Sequence, residues 1–100
     1  PEDWSGYSVV KFDARIVEAA GDTVKFSMRL DDYEGVKEDR WVMQPFKATR
    51  QWRTFSMEIA DRQLWNSDRN LVTREMDRLI LYLPKPAEPL TMEFDNLRLE

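Results

Sequence analysis

The chain has 100 residues, a formal net charge of -4 and neither cysteine nor histidine, which fits one small domain with a buried core. Without histidine it lacks the usual general base near neutral pH and the usual zinc ligand, and without cysteine it has no disulfide or thiolate metal site. The acidic balance argues against nonspecific binding to nucleic acid or anionic membranes, and no apolar run reaches the roughly 18 residues that span a bilayer.

The first two predicted strands alternate apolar and polar residues. Their apolar residues are Val10, Phe12, Ala14 and Ile16 in the first segment and Val24, Phe26, Met28 and Leu30 in the second. Alternation with a period of two is typical of strands that bury one face. Since only a short loop around residues 18–22 separates the two segments, we expect them to pair as an antiparallel hairpin.

The middle of the chain separates acidic from basic residues. Residues 31–39 form a predicted acidic loop with Lys37 as its single cation, whereas residues 40–53 contain cations and no acid. We expect these charges to neutralise each other across neighbouring strands. Within the basic segment, Pro45 places an extended stretch over residues 40–47 at a sheet edge or a bulge.

Two further strands and one helical turn are predicted between residues 52 and 83. The first strand opens at Trp52, whose side chain we expect in the core. The alternation of apolar residues then stops, and Thr73 is placed to cap one short helical turn. The second strand follows at residues 79–83, where apolar residues return.

The last predicted strand changes its parity part-way along. Leu90, Met92 and Phe94 share one face, whereas Leu97 and Leu99 have the opposite parity. Either Asp95-Asn96 forms a bulge or kink, or the last two leucines face elsewhere. With this strand the chain has about six, which predicts an all-β fold, an antiparallel β-sandwich or barrel, as a single domain over residues 1–100.

An ordered series of short patterns runs along nearly the whole chain. The patterns are Trp4-Ser5-Gly6-Tyr7, Val10-Lys11-Phe12-Asp13, Arg29-Leu30-Asp31-Asp32, Asp39-Arg40-Trp41, Trp52-Arg53-Thr54-Phe55, Ile59-Ala60-Asp61, residues 78–84 and Phe94-Asp95-Asn96-Leu97-Arg98-Leu99. In order and spacing the chain resembles the noncatalytic carbohydrate-binding modules that have a galactose-binding-like jelly-roll fold. The resemblance implies a β-sandwich appended to a larger protein outside the cytoplasm.

The chain departs from this family at its front. Such jelly rolls usually have about eight strands, and the strands that precede the Trp-Gly-Tyr segment have no counterpart here, so we expect Trp4 and Tyr7 to shield a sheet edge. Many relatives bind a structural calcium through an aspartate that Asp95 matches, yet calcium needs roughly six to eight oxygen ligands. The resemblance implies at most calcium at Asp95 and no other cofactor; the alternative is that Asp95 accepts hydrogen bonds from backbone amides at the bulge.

Seven residues are candidates for contact with a sugar, because aromatic rings stack on sugar rings while polar side chains bond the hydroxyl groups. The candidate carbohydrate-binding residues are Tyr33, Trp65, Asp31, Asp32, Arg40, Trp41 and Tyr82. Tyr33 and Trp65 are the best candidates, because neither belongs to the apolar face of a predicted strand. The alternative is that each side chain covers an edge of the core. Arg40 either reaches a ligand or pairs with the neighbouring aspartates. No residue is assigned a catalytic role.

The resemblance and the absence of catalytic groups favour a noncatalytic module whose partner is a glycan. The alternative is a structural or protein-interaction sandwich that packs on the remainder of a larger protein without binding sugar. An enzyme is disfavoured, since 19 acidic residues make a carboxylate pair at glycosidase separation uninformative. An oligonucleotide-binding barrel is indicated only by the interleaved cations and aromatics of residues 47–55, and the net charge counts against it.

Overall fold

A computed structural model describes residues 2–38, 40–65, 67–83, 85 and 88–100, except for the side chain of Glu38. In chain order its elements are β1 (Val9–Glu18), β2 (Val24–Asp32), α1 (Tyr33–Glu38), β3 (Val42–Ala48), β4 (Arg53–Glu58), a 3-10 turn (Thr73–Glu75), β5 (Met76–Tyr82) and β6 (Thr91–Leu99). The strands form two antiparallel three-stranded sheets, in the orders β4-β1-β6 and β3-β2-β5. Over these described residues the predicted all-β sandwich of six strands is confirmed.

β1 and β2 are the central strands of different sheets. β1 bonds to β4 and β6, and β2 bonds to β3 and β5, so the predicted β1–β2 hairpin is wrong. The buried residues of both strands belong to one core, which places their apolar faces against each other across the sandwich. Alternation identifies the face that a strand buries, but it does not identify the strand that bonds to its edge.

The core is built around a cluster of phenylalanine rings. Five of the six strands contribute one ring each: Phe12, Phe26, Phe46, Phe55 and Phe94. The centroids of contacting rings lie 5.4 to 6.3 Å apart, in edge-to-face, tilted and stacked geometries. Such pairs stabilise a fold by about 0.5–1.5 kcal/mol each beyond the area that they bury. The cluster therefore holds the two sheets face to face.

A bulge interrupts β6 at the predicted position. Residues 92–95 pair with β1 in one register, whereas Arg98 and Leu99 pair one residue out of step, and Asn96 between them has a φ of 53°. The extra residue turns Leu99 back toward the core, on which it packs, while Leu97 keeps 62% of its surface exposed. The alternative of a bulge in this strand is thus confirmed.

A short helix, α1, occupies most of the predicted acidic loop. Asp32 precedes its first turn and accepts a hydrogen bond from the Gly35 N–H, the geometry of a helix N-cap. A side chain at Gly35 would place its Cβ 2.5 Å from the Arg40 carbonyl oxygen and 2.7 Å from Asp32 Oδ1. Only glycine fits this position, where the helix is closely approached by the chain that follows it. Asp39, one of the predicted partners of Arg40, lies outside the described residues.

The tryptophan that precedes β4 is exposed. Trp52 keeps 44% of its surface accessible, and the guanidinium carbon of Arg15 lies 4.9 Å from its ring centre. The prediction that Trp52 joins the core is wrong, because its parity is opposite to that of the inward-facing Phe55 and Met57.

Two smaller predictions concern an edge and a turn. Pro45 lies in β3, which is an edge strand as predicted. A helical turn does begin at Thr73, but the residue at the N-cap is Val72 and no side chain caps the turn, so the capping role predicted for Thr73 is wrong.

Candidate functional site

The outward-pointing residues of the β3-β2-β5 sheet gather several of the predicted site residues, and we call this surface the outer face. In the register, Lys25 lies opposite Lys47, Ser27 opposite Pro45 and Tyr82, Arg29 opposite Met43 and Ile80, and Asp31 opposite Arg78. These side chains point away from the core because the alternate residues of β2, such as Phe26 and Leu30, are buried. Trp41 directly precedes β3 with the outward parity and extends this face.

Two tryptophans stack at one end of the outer face. The ring centroids of Trp41 and Trp65 lie 5.2 Å apart and their planes differ by 6°. The Trp65 N–H donates to the Trp41 carbonyl oxygen at 2.7 Å, which ties the loop before β5 to the start of β3. The guanidinium carbon of Arg29 lies 4.2 Å from the Trp41 ring, and that of Arg40 lies 6.0 Å from the Trp65 ring. Trp65 is 55% exposed, so the stack presents an accessible indole in a fixed orientation.

A buried carboxylate joins two arginines beside this stack. Asp31 has no exposed surface, and it accepts hydrogen bonds from Arg29 Nε at 2.9 Å and from Arg78 Nε. Burial works to lower the pKa of Arg29, but the Asp31 carboxylate and Tyr82 outweigh it, so the pKa of Arg29 is raised. Asp31 therefore fixes the charged guanidinium of Arg29 over Trp41 and is itself unavailable to a ligand.

Asp32 is also fully buried, but it organises a loop. Its Oδ2 accepts hydrogen bonds from Arg69 Nη1 at 2.9 Å and from the Val72 N–H at 2.8 Å. Burial works to raise the pKa of Asp32, but these bonds and one further backbone N–H outweigh it, so the pKa is lowered. The Arg69 carbonyl oxygen in turn accepts from the Leu64 N–H at 2.9 Å, next to Trp65. Asp32 is a positioning residue for the loop that carries Trp65.

The remaining predicted site residues divide between the outer face and its surroundings. Tyr82 is the last residue of the edge strand β5, where it lies opposite Ser27 on the outer face with 41% of its surface exposed. Tyr33 begins α1, where Lys37 Nζ lies 4.2 Å from its ring, and no described ring contact joins it to the tryptophan stack. The predicted pairing of Arg40 with Asp31 or Asp32 is not formed, because other arginines hold both carboxylates.

Sequence reasoning missed the basic residues of the outer face. Arg29 and Lys25 counted there only as polar residues that alternate with apolar ones, although their parity in β2 is that of Asp31. Lys47 and Arg78 join them only because β3 and β5 flank β2. The alternation in β2 was a usable signal for the first pair, whereas the second pair depends on which strands bond to each other.

A cleft opens between the edges of β5 and β6, away from the tryptophan stack. It is a cleft of about 830 Å³ whose apolar lining includes Trp4, Tyr7, Met76, Leu79, Leu97 and Leu99. The Trp4 N–H donates to the Thr73 carbonyl oxygen at 2.7 Å, so the N-terminal segment crosses the start of β5. Trp4 and Tyr7 lie at a sheet edge, as predicted, and the cleft stays open beside them.

The carboxylate predicted as a calcium ligand lies at the β6 bulge. Asp95 Oδ1 accepts a hydrogen bond from the Asn96 N–H at 2.8 Å, which matches the alternative role predicted for it. Among the described residues, no three acidic side chains lie close enough to hold one metal ion. Calcium binding at Asp95 stays a prediction.

Comparisons with known proteins assign no family to the chain. No protein-family model matches it, and no curated protein or solved structure is significantly similar to it. Over the described part of the chain, no helix has the length and apolar character needed to cross a membrane. The function of the outer face therefore has to follow from its own chemistry.

Proposed function

We propose that the protein is a noncatalytic carbohydrate-binding module that holds a glycan on the outer face. The observation that carries this proposal is the exposed ring of Trp65, stacked on Trp41 and tied to it by a backbone hydrogen bond. An indole ring offers a large apolar surface to the face of a sugar ring and loses little entropy on binding. Because the stack already fixes Trp65, still less ordering is needed.

Polar groups for the sugar hydroxyls surround the stack. Arg29, Arg40 and Arg78 each carry five N–H donors, and Tyr82 carries a hydroxyl that donates and accepts. Asp31 occupies only part of the donors of Arg29 and Arg78 while it holds both side chains in place. A ligand would therefore meet oriented donors beside an aromatic platform.

The arrangement of acidic residues on this surface favours a noncatalytic role. A glycosidase needs two carboxyl groups that flank the scissile bond. Among the outward residues of β2, β3 and β5 that pair in register, the only acid is Asp31, which is buried between Arg29 and Arg78. Asp77, exposed in β5, lies at the register shift and is a single carboxylate. The surface thus offers a sugar hydrogen-bond donors and rings, but no exposed carboxylate pair.

Trp65→Ala tests the proposal against a matched control. We expect isothermal titration calorimetry with a panel of soluble oligosaccharides to find a ligand, and Trp65→Ala to weaken its binding at least about ten-fold because the stacking surface is lost. Trp52→Ala removes another exposed indole, which lies outside the outer face, and should leave the affinity unchanged. Parental affinity in a folded Trp65→Ala variant, shown by a dispersed amide NMR spectrum, would overturn the proposal.

A protein-interaction role is the second candidate, and the apolar cleft between β5 and β6 favours it. Both strands are sheet edges, with the Glu2 backbone bonded to Met76 at the start of β5, and Leu97 of β6 is 62% exposed. In this role the sandwich would pack on the remainder of a larger protein. Leu97→Glu should then abolish that association, measured by sedimentation, without changing any affinity for glycans.

A further inference from the structure

Positive charge is concentrated on the outer face, although the chain carries a formal net charge of -4. The outward positions of β2, β3 and β5 that pair in register hold four cations, Lys25, Arg29, Lys47 and Arg78, and one acid, Asp31. The exposed Asp77 of β5 lies at the register shift, beyond these pairs. Asp31 is fully buried between the two arginines, so it offsets part of their charge and exposes none of its own. The surface that a ligand meets is therefore cationic.

The lysines form a like-charged pair across two strands. Lys25 in β2 lies directly opposite Lys47 in β3, and both are exposed. No ion pair joins either of them to a carboxylate of the described residues. Like charges that face each other across a sheet are destabilising, so this pair lowers the stability of the free domain while it raises the local positive potential.

In the β4-β1-β6 sheet, the outward cations Lys11 and Arg15 form ion pairs with neighbouring acids. Lys11 lies 3.3 Å from Glu100, and Arg15 lies 2.7 Å from Glu93. Each of these cations in the β4-β1-β6 sheet is therefore neutralised by a neighbouring acid. The unpaired lysines are a property of the outer face rather than of every sheet surface in this protein.

The lysine pair and the tryptophan stack lie at opposite ends of the outer face. Lys25 is six residues from Asp31 along β2, which corresponds to about 20 Å at the usual rise of a strand. Ser27 and Tyr82 lie between the two ends. A ligand that contacts both ends must be extended, with an apolar ring at one end and anionic groups toward the other.

We infer that the glycan is acidic, with carboxylate or sulfate groups, and that it lies along β2 with its rings on Trp65 and Tyr82 and its anionic groups against Lys25 and Lys47. The inference rests on the proposed function and adds the ligand class to it. An anionic group between the two ammonium groups relieves their repulsion, and it gains attraction from both.

The test compares three probes by isothermal titration calorimetry: a uronic acid oligosaccharide, its neutral methyl ester, and a sulfated oligosaccharide. At low salt we expect at least one acidic probe to bind at least about ten-fold more tightly than the ester. Its affinity should fall as salt rises, because salt screens interactions between exposed charges. The sulfated probe separates a general preference for anions from a preference for carboxylates, and either result supports an acidic ligand.

Other outcomes separate this inference from the proposed function. If the ester binds as tightly as both acidic probes and Trp65→Ala abolishes all binding, the acidic ligand is overturned and glycan binding stands. If no oligosaccharide binds in a Trp65-dependent way, both are overturned. Poly-glutamate and single-stranded DNA control for charge alone, and binding of either as tight as that of the acidic sugars overturns the assignment to a glycan.

Charge-removing variants test the lysine pair directly. Lys25→Gln and Lys47→Gln should each weaken binding of the acidic probe about two- to five-fold, while Lys11→Gln, the same change on the opposite sheet, should leave it unchanged. Each outer-face variant should also raise the midpoint of thermal unfolding by about 1–5 °C, because the repulsion is relieved. An unchanged affinity in the double variant would overturn the inference.

Discussion

Asp31 and Asp32 are adjacent carboxylates with no exposed surface, and different arginines neutralise each of them. Asp31 lies on the outer side of β2 and holds the Arg29 side chain on the outer face. Asp32 lies where the chain leaves β2, beyond a shift in its pairing with β5, and it holds the loop that carries Trp65. One of these neighbouring acids thus holds Arg29, and the other holds the loop that carries Trp65.

Asp32→Asn should destabilise the domain, because the amide keeps the size of the side chain but loses the charge that pairs with Arg69. Removing one partner of a buried ion pair costs several kcal/mol, so we expect a loss of about 3 kcal/mol of unfolding free energy at pH 7, measured by urea denaturation. Asp22→Asn replaces a carboxylate whose side chain is 99% exposed and should change stability by less than about 0.5 kcal/mol.

The pH dependence of stability follows from the direction of the Asp32 pKa shift. Its pKa is lowered in the folded state, so its contribution is fully present above the pKa of the unfolded carboxyl, near 4, and is lost as the pH falls through the lower folded value. Wild-type stability should therefore decrease on acidification below about pH 4, and Asp32→Asn should show a smaller decrease. An identical acid profile in both proteins would contradict this role.

At the scale of elements, the sequence predicted strands and their buried faces better than their partners. β1 and β2 follow directly from alternation, because a strand buries every second residue whichever strand lies beside it. The predicted hairpin was wrong because the same alternation lets the two strands pack face to face in separate sheets. The bulge in β6 was predictable, since the apolar residues before and after Asp95-Asn96 have opposite parity in the sequence.

The bulge gives a test at the level of one element. Asn96 has a φ of 53°, and its Nδ2 donates to Asp13 Oδ2 at 2.8 Å. Asn96→Val places a β-branched residue in the left-handed region and loses the hydrogen bond, so we expect it to cost about 2 kcal/mol of unfolding free energy. Asn96→Gly loses the bond but accepts the backbone geometry and should cost less than half as much. Equal losses in thermal or urea unfolding would contradict this account of β6.

The candidate site was predictable in part for the same physical reasons. Trp65 was a candidate because no strand pattern requires it, and Trp41 and Tyr82 were candidates because their parity is opposite to that of some apolar neighbours. The structure places all three on or beside the outer face. Their stacking is a tertiary contact between the loop before β5 and the start of β3, and local patterns do not encode it. The lysine pair likewise exists only after β2 and β3 are paired, so Lys25 and Lys47 were missed.

At the scale of the whole molecule, the net charge does not describe the charge of each surface. The formal charge of -4 argued against nonspecific binding to nucleic acid or anionic membranes, but opposite charges are not distributed evenly between the two sheets. Cations of the β4-β1-β6 sheet such as Lys11 and Arg15 are paired with acids, whereas no acid among the described residues pairs with Lys25 or Lys47. A local potential decides what approaches the outer face, because charges more than about 10 Å away are largely screened at physiological salt.

The most direct test of the central claim is a set of amide proton–nitrogen NMR spectra of the wild-type domain, recorded while an acidic oligosaccharide is added. We expect saturable shifts that cluster on the outer face, at Trp41, Trp65, Tyr82, Lys25 and Lys47, with the opposite sheet unchanged. Shifts confined to the cleft around Trp4 and Leu97, or a dispersed spectrum that neither this nor any neutral sugar perturbs, would contradict glycan binding on the outer face.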